Sequence, residues 1–180
     1  MKNLIIIPAR GGSKGIPKKN LKLFNGIPLI KYTVDFAIEE FPNEEICLST
    51  DSEEILDYCK SIGLEGKFLR PSEYSTDTSS SRDVILHALN FYEKKGKTFE
   101  YVILLQPTTP IRNSDLISTS MNILKESNGV DMVVSVKESK ANPYFNLYEE
   151  DNNGWLRKSI KSGFTRRQDC PEVYELTGSF

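Results

Sequence analysis

The densest run of chemically useful side chains is Pro8-Ala9-Arg10-Gly11-Gly12-Ser13-Lys14-Gly15-Ile16-Pro17-Lys18-Lys19-Asn20. Arg10, Lys14, Lys18 and Lys19 bring four cations into ten positions, with no acid between them. The adjacent glycines Gly11 and Gly12 permit backbone conformations that turn successive N–H groups toward an anion. Backbone donors combined with fixed positive charge are what a triphosphate requires. The same composition also describes a solvated basic turn, and placement favours the anion site. The segment follows Leu4-Ile5-Ile6-Ile7, a short, largely β-branched run that reads as a strand buried on both faces. Ligands of open α/β sheets collect beyond the carboxyl ends of such strands. Neither GxxxxGK[ST] nor GxGxxG is present, which disfavours a P-loop ATPase and a dinucleotide dehydrogenase.

Further candidates follow later apolar runs. Asp51 comes after Glu45–Thr50 and reads equally as a helix N-cap. Arg70 precedes Pro71, where a surface ion pair is the plain alternative. Ser79-Ser80-Ser81 opens a helical pattern and reads equally as a cap. Gln106 ends the most apolar strand and is followed by Pro107-Thr108-Thr109-Pro110, which suits a ligand edge better than a core. His87 is the single histidine. It lies near an apolar helix stripe and reads as structural, so no Ser-His-Asp set is assembled from it. Arg166-Arg167-Gln168-Asp169 is a second basic cluster, and a solvated turn is its alternative.

The elements that must hold these residues alternate. Strands are expected at Leu4–Ile7, Glu45–Thr50, Tyr101–Leu105 and Met132–Val136, with a short extended piece at Phe68-Leu69. Helices are expected from Pro28 to Glu40, from Asp51 to about Ile62, from Ser79 to Lys94, and from an Asn113-Ser114-Asp115 cap to Glu126. Fourfold strand–helix alternation predicts a three-layer, Rossmann-like α/β sheet with right-handed crossovers. From Ser139 onward polar residues and aromatics dominate. There Asn152-Asn153-Gly154 predicts a hairpin between Tyr144–Tyr148 and Trp155–Ile160.

Four ordered segments resemble the acylneuraminate cytidylyltransferases, enzymes that make CMP-sialic acid and bacterial relatives such as CMP-legionaminic acid. They are Ile6–Leu21; Ser49-Thr50-Asp51-Ser52-Glu53-Glu54-Ile55; Leu69-Arg70-Pro71 with Asp77-Thr78-Ser79-Ser80-Ser81; and Leu104-Leu105-Gln106-Pro107-Thr108-Thr109-Pro110-Ile111-Arg112. The resemblance implies transfer of CMP from CTP to the anomeric hydroxyl of an acidic nine-carbon sugar, with release of pyrophosphate. It implies a nucleotide site built from Ala9, Arg10, Gly11, Gly12, Ser13, Lys14, Lys19, Asn20, Arg70 and Ser81. Arg10 and Lys19 would stabilise charge at the α-phosphate, Arg70 and Ser81 would read the cytosine and ribose, and Gln106 would hold the sugar. Arg167 would bind the sugar carboxylate, for which a guanidinium fork is suited. Residues 1–138 would form the CTP-binding core, 139–175 an extension that builds a homodimer, and 176–180 the start of a further core segment. Family members normally continue well past Phe180 into an acidic motif that holds Mg²⁺, so metal ligands are expected beyond residue 180 and none is named here.

Two positions depart from the family pattern. Thr177-Gly178 stands where Asn-Gly is usual, and Phe145 stands where sialic-acid enzymes often have lysine. Both bear on the acceptor, so enzymes for Kdo or pseudaminic acid stay as alternatives, as does a non-catalytic nucleotide-binding or dimerisation module. Composition narrows the classes further. With 180 residues, 38% hydrophobic and 27% charged, the chain suits one soluble domain. A net charge of -2 offers no global field for nucleic acid or anionic lipid. Cys47, Cys59 and Cys170 are odd in number and widely spaced, which suits a reducing compartment. No apolar run approaches membrane-spanning length, and the expected location is cytoplasmic.

Overall fold

The computed structural model describes residues 2–13, 15–76 and 78–178. β1 (Lys2–Pro8) is the middle strand of a parallel three-stranded sheet, between β4 (Glu45–Ser49) and β5 (Phe99–Leu104). Strand side chains alternate between faces. Ile5 and Ile7 therefore enter one core with Ile30, Val34, Ala37, Ile55, Cys59 and Ile117, while Leu4 and Ile6 enter another with Ala88 and Tyr92. Leu4 to Ile7 are all 0% exposed, as a strand covered on both faces requires. Each such side chain contributes roughly 2 kcal/mol by burial.

Between β1 and β4 lie a 3-10 turn (Lys19–Leu21), a small hairpin of β2 (Leu23–Phe24) and β3 (Ile27–Pro28), and α1 (Leu29–Glu40). The hairpin turns on Asn25 and Gly26, at φ 50 and 79, the positive values of a type I′ turn. α1 buries Ile30, Thr33, Val34 and Ala37, one helical stripe. α2 (Glu53–Ser61) starts at Ser52, whose side chain accepts from the Ile55 N–H. The cap is thus Ser52, one residue after the Asp51 expected. α3 (Ser81–Glu93) has a capping box in which Ser80 and Asp83 satisfy each other's backbone. α4 (Ser114–Glu126) is capped by Asn113, as its sequence predicts. Helix stripes in both cores give the three layers expected.

β5 is an edge of the sheet that the described residues form, so Tyr101, Val102 and Leu104 are only half-buried. The fully buried strand expected there is corrected accordingly. The strand expected at Met132–Val136 does not form among the described residues. A strand needs a hydrogen-bonding neighbour as well as apolar side chains, and the pairing begins only at the end of this run, where the Ser135 carbonyl accepts the Thr177 N–H at 3.0 Å and Val136 enters a ladder. β6 (Val136–Glu138) pairs antiparallel with β9 (Tyr174–Leu176). Met132 is left 73% exposed.

The chain divides into two compact units, one reaching Val133 and resuming at Gly178, the other Val134–Thr177. The division falls before Val134 and not after Glu138, because β6 is held by β9. In the second unit β7 (Tyr148–Glu150) pairs with β8 (Leu156–Lys158). Their turn is closed by Asp151, whose Oδ1 accepts from the Asn153 and Trp155 N–H groups.

Candidate active site

Two neighbouring cavities open at the carboxyl ends of β1 and β5. The larger, about 300 Å³, is lined by Arg10, Arg70, Tyr74, Ser75, Ser81 and Gln106 among others. The smaller, about 150 Å³, is lined by Arg10, Gly12, Ser13, Lys19, Asn20 and Gln106 among others. Pro8, Arg10 and Gln106 line both. Residues far apart in sequence thus meet because their motifs each follow a strand or open a helix of the same sheet.

The basic loop is fixed at both ends. The Ala9 N–H donates to the Ser49 carbonyl at 2.9 Å, continuing the β1–β4 ladder. Asn20 is buried, and its Nδ2 donates to the Arg10 carbonyl at 2.9 Å. Gly11 donates its N–H to Asp51 Oδ1 at 2.8 Å. Gly11 is required here by close approach: an added β-carbon would fall 2.9 Å from Ser52 Cβ. Neither Gly11 nor Gly12 has positive φ. The paired inward N–H groups expected of this Gly-Gly are therefore not what Gly11 provides; its donor is spent on Asp51. Lys18 points across to Glu54 at 2.7 Å, an exposed ion pair that contributes little. Lys14 lies outside the described residues, as does Asp77 of the third motif.

Arg70 is 5% exposed. Its N–H donates to the Thr50 carbonyl at 2.7 Å and its Nε to Ser75 Oγ at 3.0 Å, while Nη2 lies 3.9 Å from Asp51 Oδ1. Burial pushes the guanidinium below its ordinary pKa, Asp51 pulls it back, and the neighbouring Arg10 adds to the fall. Arg70 is thus a buried, oriented cation and not the surface ion pair that Arg70-Pro71 also allowed. Arg10 Nη1 donates to the Thr76 carbonyl at 3.2 Å, tying the basic loop to the wall of the larger cavity. Ser81 begins α3 and faces the same cavity.

Gln106 follows β5, and its carbonyl accepts from Arg112 Nη2. Arg112 Nη1 also donates to Thr33 Oγ1 at 2.9 Å, and the guanidinium lies 5.8 Å from the centre of the Phe36 ring. Burial pushes the Arg112 pKa down to about 10. The Gln106 side chain packs against Gly178, where a β-carbon would fall 3.3 Å from Oε1. His87 sits behind the larger cavity, its ring 4.9 Å from Phe68 and 5.1 Å from Tyr74. Its Nδ1 is buried with no hydrogen-bond partner, in keeping with a packing role. Arg167 lines a separate cavity of about 350 Å³ in the second unit, with Glu138, Asn142 and Glu172.

Sequence reasoning missed Tyr74, Ser75 and Thr76, which wall the larger cavity, and the bracing role of Arg112. Nothing in the spacing of Ser72–Thr76 signals a site. Arg112 stood within a quoted motif, but only the fold shows what it holds. Among the described residues no group of three His, Cys, Asp or Glu side chains is placed to hold a metal ion. The Asp51 carboxylate is engaged by the Gly11 N–H and lies 3.9 Å from Arg70 Nη2.

The arrangement offers two guanidiniums and an ammonium around a junction between a wide cavity and a narrow one, with hydroxyls on the wide side. It suits an elongated polyanion with a ring at one end. Comparison with known proteins shows the family and the fold. The profile of the family described as Cytidylyltransferase matches residues 4–176. The pseudaminic acid cytidylyltransferase of Campylobacter jejuni subsp. jejuni serotype O:2 is 32% identical over 180 residues, which is 100% of this chain and 77% of that protein. The CMP-N,N'-diacetyllegionaminic acid synthase of Legionella pneumophila subsp. pneumophila is 37% identical over 179 residues, covering 99% of this chain and 76% of the relative. The structure of a CMP:2-keto-3-deoxy-manno-octonic acid synthetase complexed with CTP superposes with a TM-score of 0.71 over 99% of this chain and 72% of that one. At 19% identity that likeness shows the fold. The chain belongs to the cytidylyltransferase family, and is a nucleotidyltransferase.

Proposed function

We propose that the chain transfers CMP from CTP to the anomeric hydroxyl of a nonulosonic acid of the sialic, legionaminic or pseudaminic type. The observation that carries the reading is the grouping of Arg10, Ser13, Lys19, Asn20, Arg70, Ser81 and Gln106 around two cavities that share Arg10 and Gln106. The cytidine lies in the larger cavity, against Arg70, Tyr74 and Ser81. The triphosphate lies in the smaller one, against Ser13 and Lys19. The α-phosphate then falls at the junction, beside Arg10, with the sugar on Gln106.

In the reaction the anomeric oxygen bonds to the α-phosphorus and its proton passes to solvent. The bond from that phosphorus to the bridging oxygen breaks, and pyrophosphate leaves with the electron pair. Such transfers depend on positioning and charge neutralisation more than on covalent help. Arg70 is already buried and oriented, and Arg10 is already tied to the cavity wall, so neither needs to reorganise much. Mg²⁺ is proposed as the cofactor from the family resemblance alone, and no step is assigned to that ion.

Arg167 is proposed to bind the sugar carboxylate from a second copy in a homodimer. Exposed apolar side chains on its unit support a contact surface: Trp155, Leu156, Tyr174 and Leu176. A cytoplasmic setting is proposed from the unpaired cysteine pattern; no described helix is long and apolar enough to cross a membrane.

The test is mass spectrometry of mixtures of CTP, Mg²⁺ and each acid in turn. A CMP ester of one acid supports the reading and fixes the acceptor. CTP binding without any ester would replace the reading with a nucleotide-binding module.

A further inference from the structure

We propose that Asp51 is a positioning residue that seats the basic loop on the turn between β4 and α2. This rests on the nucleotide-site reading above. The carboxylate stands at the meeting point of two motifs. Its Oδ1 accepts the Gly11 N–H at 2.8 Å and lies 3.9 Å from Arg70 Nη2. The helix that follows needs nothing from it, because Ser52 caps α2. Gly11 lies so close to this turn that a β-carbon would meet Ser52 Cβ at 2.9 Å, so the contact is built into both partners. Gly11 is flanked by Arg10, which lines both cavities, and Gly12, which lines the smaller. Fixing Gly11 therefore fixes where Arg10 projects. The same oxygen favours the charged form of Arg70 against burial.

A carboxylate beside a polyanion site also acts the opposite way, since its charge repels phosphate. The two effects separate by substitution. Asp51→Asn keeps an acceptor for Gly11 and removes the charge; Asp51→Ala removes both. Positioning predicts that Asp51→Ala weakens CTP binding roughly tenfold, as displaced site groups do, while Asp51→Asn stays within about threefold of the unaltered protein. If the carboxylate matters only as opposing charge, both variants bind CTP more tightly.

A second route covers a failure of Asp51→Ala to fold. Gly11→Ala should lift the loop from the turn and weaken CTP binding as Asp51→Ala does. Adding Ser52→Gly makes room for the new β-carbon, and glycine is itself a tolerated helix cap. That double variant should recover most of the lost affinity.

The measurement is calorimetric titration of CTP into each folded variant, with melting temperature recorded alongside. The expected pattern is weak binding for Asp51→Ala and Gly11→Ala, with recovery in Asp51→Asn and in Gly11→Ala with Ser52→Gly. Tighter binding by both Asp51 variants, or no recovery by Ser52→Gly, overturns the proposal. Absence of CTP binding by the unaltered protein overturns the nucleotide-site reading itself, and the proposal with it.

Discussion

Replacing Arg112 with methionine tests whether the Gln106 segment is held from below. The guanidinium donates to the Gln106 carbonyl and to Thr33 Oγ1, and lies over the Phe36 ring. Thr33 is fully buried, so water is not at hand to replace the lost donor. Hydrogen bonds from a charged donor contribute about 1.5–3 kcal/mol each, and the aromatic contact about 0.5–1 kcal/mol. Against this stands the relief of burying a cation, whose cost is visible in the lowered Arg112 pKa. The net loss comes to about 2–3 kcal/mol, or roughly 5–10 °C in melting temperature for a chain of this size. Arg112→Lys keeps one donor and the charge, so it should lose about half as much. Thermal unfolding read by circular dichroism gives the comparison directly. The KM for the sugar should rise in Arg112→Met while the KM for CTP moves less, because the segment released carries Gln106. A methionine variant that melts with the unaltered protein, or a lysine variant no better than methionine, would refute the bracing role.

Lys19→Ala should cut turnover far more than it lowers melting temperature, because Lys19 lies at the partly exposed mouth of the smaller cavity; equal losses in both would contradict the charge-stabilising role. Gln106→Ala should weaken sugar use and spare CTP binding, and the reverse pattern in steady-state kinetics would show that the two cavities are assigned the wrong way round. His87 has its pKa lowered from 6.5, first by burial and then by Arg70. Below pH 6.5 the unfolded chain therefore takes up a proton that the folded chain resists, and stability falls as pH drops through that value. His87→Phe should flatten the decline in urea midpoint between pH 7 and pH 5, and an unchanged slope would exclude His87 as its source.

Much of the fold could be read from local pattern. Leu4–Ile7 is apolar at every position, and a strand with that pattern has to be covered on both faces. Asn113 and the Ser79–Ser81 run announce helix starts because capping is a local interaction. The errors arose where structure depends on a distant partner. Met132–Val136 has strand-like side chains, but only its last residue meets β9. β5 reads as central from its apolarity, yet in the described sheet it is an edge. The β2–β3 hairpin leaves little trace in the sequence because only two residues flank each side of Asn25-Gly26, too few for alternation to register. At the site, the residue types were legible and their wiring was not. Gly11 invited an anion nest, while the reason for glycine is the proximity of Ser52. Asp51 looked like a cap, and the cap is its neighbour. Tyr74, Ser75 and Thr76 gave no signal, since a cavity wall is a property of how a loop returns to the sheet.

The most direct test of cytidylyl transfer is pyrophosphate release, followed with CTP and Mg²⁺ in the presence and absence of a nonulosonic acid, with ATP, GTP and UTP as comparisons. The account predicts release that requires both CTP and one acid, and that falls sharply in Arg10→Ala. CTP bound in the cavities with no pyrophosphate released for any acid would contradict it.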